Sequence, residues 1–196
     1  MGGTTNLCHN AVDRHLAERA EQNALIFVST ETNEERVYSF RELHAEVQRM
    51  AASLLALGVK KGDRVLIYMP MIAEAAFAML ACARIGAIHS VVFGGFASGA
   101  LASRIEDAQP HVIVSADVGS RGGKAVPYKP LLDEAIRLSS HKPAAVVLVD
   151  RQLVAMSLVA GRDHDWSTLR QNHFETVVPC EWVDSTHSSY TLYTSG

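Results

Sequence analysis

Three short stretches carry residue types that could handle a phosphorylated ligand. The first is Phe93-Gly94-Gly95-Phe96, which follows the apolar run 87–93 and precedes a helical pattern over 97–108. A strand that passes through glycine into a helix start turns backbone N–H groups toward one spot, and such a spot attracts phosphate. The glycines leave those amides unshielded. A tight strand-to-helix turn without a ligand fits the same residues. The second stretch is Ser120-Arg121-Gly122-Gly123-Lys124, just after the apolar run 111–115. Arginine grips a phosphate at two points, lysine acts as a point charge, and glycine lets the backbone approach. It is not a Walker loop, because Val118 stands where glycine is needed and Ala125 where a hydroxyl is needed. A solvated basic turn is the alternative. The third is Tyr193-Thr194-Ser195-Gly196, whose hydroxyls and glycine can donate to phosphate oxygens, or form an ordinary polar turn.

Other chemistries find less support. The nine histidines come without HExxH or CxxC spacing, so no metal site is expected. His89 sits inside an apolar run and reads as a packed or near-site histidine. Neither the GxGxxG dinucleotide fingerprint nor the GxSxG nucleophile elbow occurs. Cys8, Cys82 and Cys180 are odd in number and far apart, which reads as reduced thiols in a cytoplasmic protein. A net charge of −3 argues against a nucleic-acid partner. No apolar run approaches the ~20 residues of a membrane span, and the first residues do not resemble a secretory signal.

These stretches must be positioned by the elements between them. The 196 residues, 48% hydrophobic and 20% charged, suffice for one substantial domain. A short helix is expected over 10–19, then a hairpin of strands 25–29 and 36–40 around the polar turn 31–35. Ser39 and Glu42 fit a capping box. Leu43, Val47, Met50, Leu54 and Leu57 then keep a helical rhythm up to Gly58. Strand 65–69 stops at Pro70. Segment 72–86 is apolar on nearly every side, the mark of a helix buried between layers. Strand 87–93, helix 97–108, strand 111–115, helix 130–139 and strand 145–149 follow. Strands that are continuously apolar and alternate with helices predict an α/β fold, a mostly parallel sheet layered with helices on both faces. Ligands in such sheets bind beyond the carboxyl ends of the strands, where Gly94–Gly95, residues 116–124 and Asp150 fall. Segment 152–183 is weakly patterned, with a loop at 163–166 and a short helix at 167–171. Residues 190–193 form a β-prone run.

In this order the motifs VVFGGF, VSADVGSRGGK, PYKPLLDEAI and LYTSG, with GDRVLIYMPMIAEA before them, resemble the adenylate-forming acyl-CoA synthetases. The likeness runs from Asn6 to Gly196 and is strongest to the short-chain group that activates acetate and propionate. It implies that residues 1–196 are part of the large N-terminal, AMP-binding domain, cut inside the phosphate-binding loop, with the C-terminal domain absent. The implied substrates are propionate, ATP and CoA, with Mg²⁺ neutralising phosphates. The implied reaction joins carboxylate and CoA through an acyl-adenylate, and this piece alone is expected to be inactive; an acetate–CoA ligase, or a non-catalytic α/β module that binds a nucleotide or a partner, is the alternative. Thr194, Ser195 and Gly196 would hold ATP phosphates. Phe93, Gly94 and Gly95 would border the CoA nucleotide, and Arg121, Gly122, Gly123 and Lys124 would meet its phosphates. The acetate enzymes typically carry arginine at the position of Lys124, and lysine loses the two-point grip. No catalytic residue falls within these 196 residues.

Overall fold

The computed structural model describes residues 2–121 and 123–194. The chain begins with β1 (Thr4–Thr5), α1 (Leu7–Ala11), a 3-10 turn (Asp13–His15) and α2 (Leu16–Arg19). The single helix expected over 10–19 is therefore broken. The break falls at Val12, whose φ of −128° and ψ of −64° are not helical. Val12 is drawn into the core, and Asp13 turns to meet Arg84.

The expected hairpin forms from β2 (Asn23–Ser29) and β3 (Glu34–Ser39), paired antiparallel. Helix α3 (Phe40–Ala56) follows directly. The Ser39 hydroxyl accepts from the Glu42 N–H at 3.2 Å, and the Ser39 N–H donates to Glu42 Oε2 at 2.8 Å, so the capping box is present. The remaining elements are β4 (Arg64–Met69), α4 (Ala73–Ile85), β5 (Ile88–Phe93), α5 (Ser98–Ala108) and β6 (Val112–Ala116). Then come β7 (Val118–Arg121), β8 (Lys124–Pro127), α6 (Tyr128–Leu138), β9 (Ala145–Val149), β10 (Asp163–Asp165), α7 (Trp166–Asn172) and β11 (Val183–Asp184). Gly86 closes α4 at φ +71°, a left-handed turn that favours glycine.

The main sheet has the order β10-β9-β6-β4-β5, and every neighbouring pair is parallel. Strand alternation sends residues to two separate cores. Val65, Ile67, Val112, Val114, Val147 and Val149 pack with α3, α4 and Trp166. Leu66, Tyr68, Ile113, Val146 and Leu148 pack with Leu101 and Ile105 of α5 and Leu132 and Ile136 of α6. Because both faces are covered, the central strands are almost wholly apolar, Arg64 and Ser115 apart, which is why they were readable as continuous runs.

Three sequence expectations change. Residues 163–165 are not loop but the edge strand β10, paired with β9. Asp163 can be polar there because Arg162 and Lys129 neutralise it. The basic turn at 120–124 is the tip of an antiparallel hairpin of β7 and β8, with Gly123 at φ +75°. Among the described residues the β-prone run 190–193 makes one parallel bridge, Tyr190 to His89, and Tyr193 donates to Asp107 of α5.

Candidate functional site

A cleft of about 750 Å³ opens at the carboxyl end of the sheet. This is within the size range of small-molecule sites. Its floor is the end of β4, Met69 and Pro70, and the end of β5, Val91, Val92 and Gly94. Arg104 of α5, Ser120 of β7 and Tyr128 of α6 form one wall, and Val28–Glu31 at the tip of the β2–β3 hairpin form another. Leu192, Tyr193 and Thr194 complete it. They arrive there because residues 189–191 run parallel beside β5. The His89 N–H donates to the Ser189 carbonyl at 3.3 Å and the Thr191 N–H to the His89 carbonyl at 2.9 Å. A segment parallel to β5 must come out at the same end of the sheet as Gly94.

The glycine turn is held from below. Tyr68 Oη donates to the Phe96 carbonyl at 3.2 Å, and the Tyr68 and Tyr128 rings lie 4.8 Å apart. Burial pushes the Tyr68 hydroxyl up to about 12, with the neighbouring Tyr128 adding to the shift, so it stays protonated as a donor. A Cβ on Gly94 would come within 1.9 Å of Tyr128 Oη, and one on Gly119 within 2.2 Å. Both glycines are therefore required by the tyrosine between them, independent of any ligand.

An ionic network ties the walls together. Buried Asp117, just after β6, accepts from the Val118 N–H at 2.7 Å and from the Leu153 N–H at 3.0 Å. Arg151 reaches Asp117 at 3.3 Å, Glu31 at 2.8 Å and the Val118 carbonyl. The guanidinium so joins the hairpin tip, β7 and the loop after β9. No local pattern announced this network, since Glu31, Asp117 and Arg151 are far apart in sequence. The one available hint was an aspartate directly after an apolar strand.

The structure brings Gly94 and Thr194 to one cleft, with Ser120 next to Arg121 on its wall. Phe93 closes β5, and Gly95 lies in the turn after it. Arg121 ends β7 and Lys124 begins β8 as its exposed register partner, and Lys124 is not among the described residues lining the cleft. Gly122, Ser195 and Gly196 lie outside the described residues. Sequence reading missed Tyr128, Arg104 and Glu31, which line the cleft too. Among the described lining residues there is no histidine or cysteine. The described lining offers apolar walls, hydroxyls, the charged side chains of Arg104 and Glu31, and backbone groups at a glycine turn.

A separate cluster gathers Cys8, Asp13 and Cys180, with ligand atoms within 4.8 Å of one another. Its cation is already supplied by the protein. Arg84 donates to Asp13 Oδ1 at 2.8 Å, to Asp13 Oδ2 at 2.9 Å and to Cys8 Sγ at 3.5 Å.

Residues 12–196 match the model of the AMP-binding enzyme family. The chain is 62% identical over 195 residues to the propionate–CoA ligase of Salmonella typhimurium, covering 100% of this chain and 31% of that protein. It is 48% identical over 195 residues to the acetyl-coenzyme A synthetase of Methylobacterium radiotolerans, covering 99% and 30%. The structure of the acetoacetyl-CoA synthetase from Streptomyces lividans superposes with a TM-score of 0.85 at 30% identity, covering 98% of this chain and 29% of that one. The chain thus spans 31% or less of the length of these proteins.

Proposed function

Since this chain belongs to the AMP-binding enzyme family, we propose that it forms the N-terminal part of an AMP-forming acid–thiol ligase making propionyl-CoA. In the first step a propionate oxygen attacks the α-phosphorus of ATP, forming propionyl-adenylate and releasing pyrophosphate. In the second the CoA thiolate attacks the acyl carbon, and AMP leaves with the bond electrons. The observation that carries this reading is the meeting of Gly94 and Thr194 at one carboxyl-end cleft. One cleft then serves a nucleotide phosphate on its Thr194 side and the CoA nucleotide on its glycine-turn side.

In this proposal Thr194, Ser195 and Gly196 hold ATP phosphates, Phe93, Gly94 and Gly95 border the CoA nucleotide, and Arg121, Gly122, Gly123 and Lys124 meet its phosphates. Tyr128 explains why residue 94 is glycine, so its share in binding is its backbone alone. Mg²⁺ enters with ATP. Among the described cleft residues the only carboxylate is Glu31, already paired with Arg151, and a magnesium site on protein alone would need more oxygens than that. The protein works in the cytoplasm on small molecules, and no described helix is long and apolar enough to cross a membrane. Propionate is preferred over acetate as the acyl substrate because identity to the propionate enzyme exceeds identity to the acetate enzyme.

The test is pyrophosphate release by the full-length protein with ATP, CoA and acetate, propionate or butyrate. Propionate is expected to give the highest kcat/KM. Release with none of the three overturns the ligase reading, and a preference for acetate overturns the propionate assignment. The 196-residue chain alone is expected to form no acyl-adenylate, measured by the same release.

A further inference from the structure

Tyr193 is the last residue before the hydroxyl-bearing segment that begins at Thr194, and it is not free. Its Oη donates to Asp107 Oδ2 at 2.6 Å. The Arg104 guanidinium carbon lies 4.1 Å from its ring centroid, a cation–π contact. Residues 104 and 107 are three apart on α5 and so share one face of that helix. Burial, with help from Asp107, pushes the Tyr193 hydroxyl up to about 12, so it remains a donor throughout the physiological range. Arg104 Nε is buried and has no hydrogen-bond partner among the described residues, so its side chain is not committed elsewhere at that atom. Arg104, Tyr193 and Thr194 all line the cleft.

The other end of α5 has its own attachment. The helix starts at Ser98, directly after the turn 94–97, and that turn is fixed by Tyr68 through the Phe96 carbonyl. One rigid helix of eleven residues therefore touches the glycine turn at its start and Tyr193 near its end. We infer that Arg104 and Asp107 are positioning residues: by clamping Tyr193 they set where the Thr194 hydroxyl meets an ATP phosphate. The inference rests on the ligase reading above. It adds a fixed link between the two sides of the cleft, with a role for two side chains that act through Tyr193.

The test uses the full-length protein and Tyr193→Phe, Asp107→Asn, the pair together, Arg104→Lys and Arg104→Met. Propionate-dependent ATP–pyrophosphate exchange is followed against ATP, and thioester formation against CoA. Tyr193→Phe removes the hydrogen bond and Asp107→Asn replaces its charged acceptor by a weaker neutral one; they are expected to raise KM for ATP about three- to tenfold, Tyr193→Phe the more. The double variant is expected to be no worse than Tyr193→Phe alone, because both changes act on the same contact. KM for CoA should stay within about twofold, and Arg104→Lys, which keeps the cation over the ring, should recover most of what Arg104→Met loses. The single changes delete or swap one or two polar atoms at a partly exposed site, so unfolding midpoints serve only to verify folding. An active wild type whose Tyr193→Phe and Asp107→Asn variants keep the wild-type KM for ATP overturns the positioning role. Equal rises for ATP and CoA overturn it too, because they would report general loosening. A wild type without exchange overturns the ligase reading itself, and this inference with it.

Discussion

Asp13 shows how far a single carboxylate can be organised. Burial by itself would raise its pKa, but hydrogen bonds from His44 and Arg84 outweigh this and hold it well below the usual carboxylate range. Its partner Arg84 is 3% exposed and donates to the Val178 carbonyl at 2.6 Å as well. Asp13→Asn leaves that guanidinium buried without its counter-charge and is expected to cost about 3 kcal/mol. Because the folded pKa is depressed, the carboxylate's contribution is complete above about pH 4–5 and fades as pH falls toward the folded value. Urea unfolding of wild type and variant from pH 7 down to pH 3 checks this. The gap should be widest near neutrality and narrow in acid, and a constant gap would rule out charge as its source. This pairing was hidden in the sequence, since residues 13 and 84 meet only after α1 docks on α4. The capping pair Ser39 and Glu42 was legible because its partners are three residues apart and need no tertiary fold.

At the scale of elements, what was legible followed burial on two faces. Strands β4, β5, β6 and β9 each announce themselves as short apolar runs because α3 and α4 cover one side and α5 and α6 the other. β10 could not be read this way: it is three polar residues on a sheet edge, held by ion pairs that only the fold assembles. The β7–β8 hairpin was missed for a related reason, since its four-residue strands carry no apolar alternation. The glycine turn was legible as a turn, but its cause was not. Tyr128 on α6 occupies the space a side chain at 94 would need, and it also fills the space beside Gly119. Gly94→Ala is therefore expected to cost about 1–3 kcal/mol in urea unfolding. Adding Tyr128→Phe should not restore it, because ring carbon Cζ still lies 2.4 Å from the new Cβ. Full recovery on loss of the hydroxyl alone would contradict this packing account.

On the proposed ligase reading, the cleft of the whole molecule would divide labour between two half-reactions, and this division can be measured. In the full-length protein Arg121→Ala is expected to raise KM for CoA roughly tenfold while sparing propionate-dependent pyrophosphate exchange. A charged hydrogen bond is worth about 1.5–3 kcal/mol when direct, and tenfold corresponds to the low end of that range. Equal loss in both assays would assign Arg121 to ATP or to folding. The sheet that carries this cleft has two edges, and each is guarded differently. At one end β10 is three residues long and ionic, which offers little for another strand to join. At the other, β5 has its outer side occupied by residues 189–191, through the bonds of His89 with Ser189 and Thr191. The segment that delivers Thr194 to the cleft is thus a guard against self-association as well. Removing residues 187–196 would bare an apolar edge strand on which Val91 is already exposed. Such a shortened chain is expected to form higher-order species in light scattering at concentrations where the 196-residue chain stays dispersed, so solubility and the proposed phosphate binding would be maintained by the same stretch of backbone.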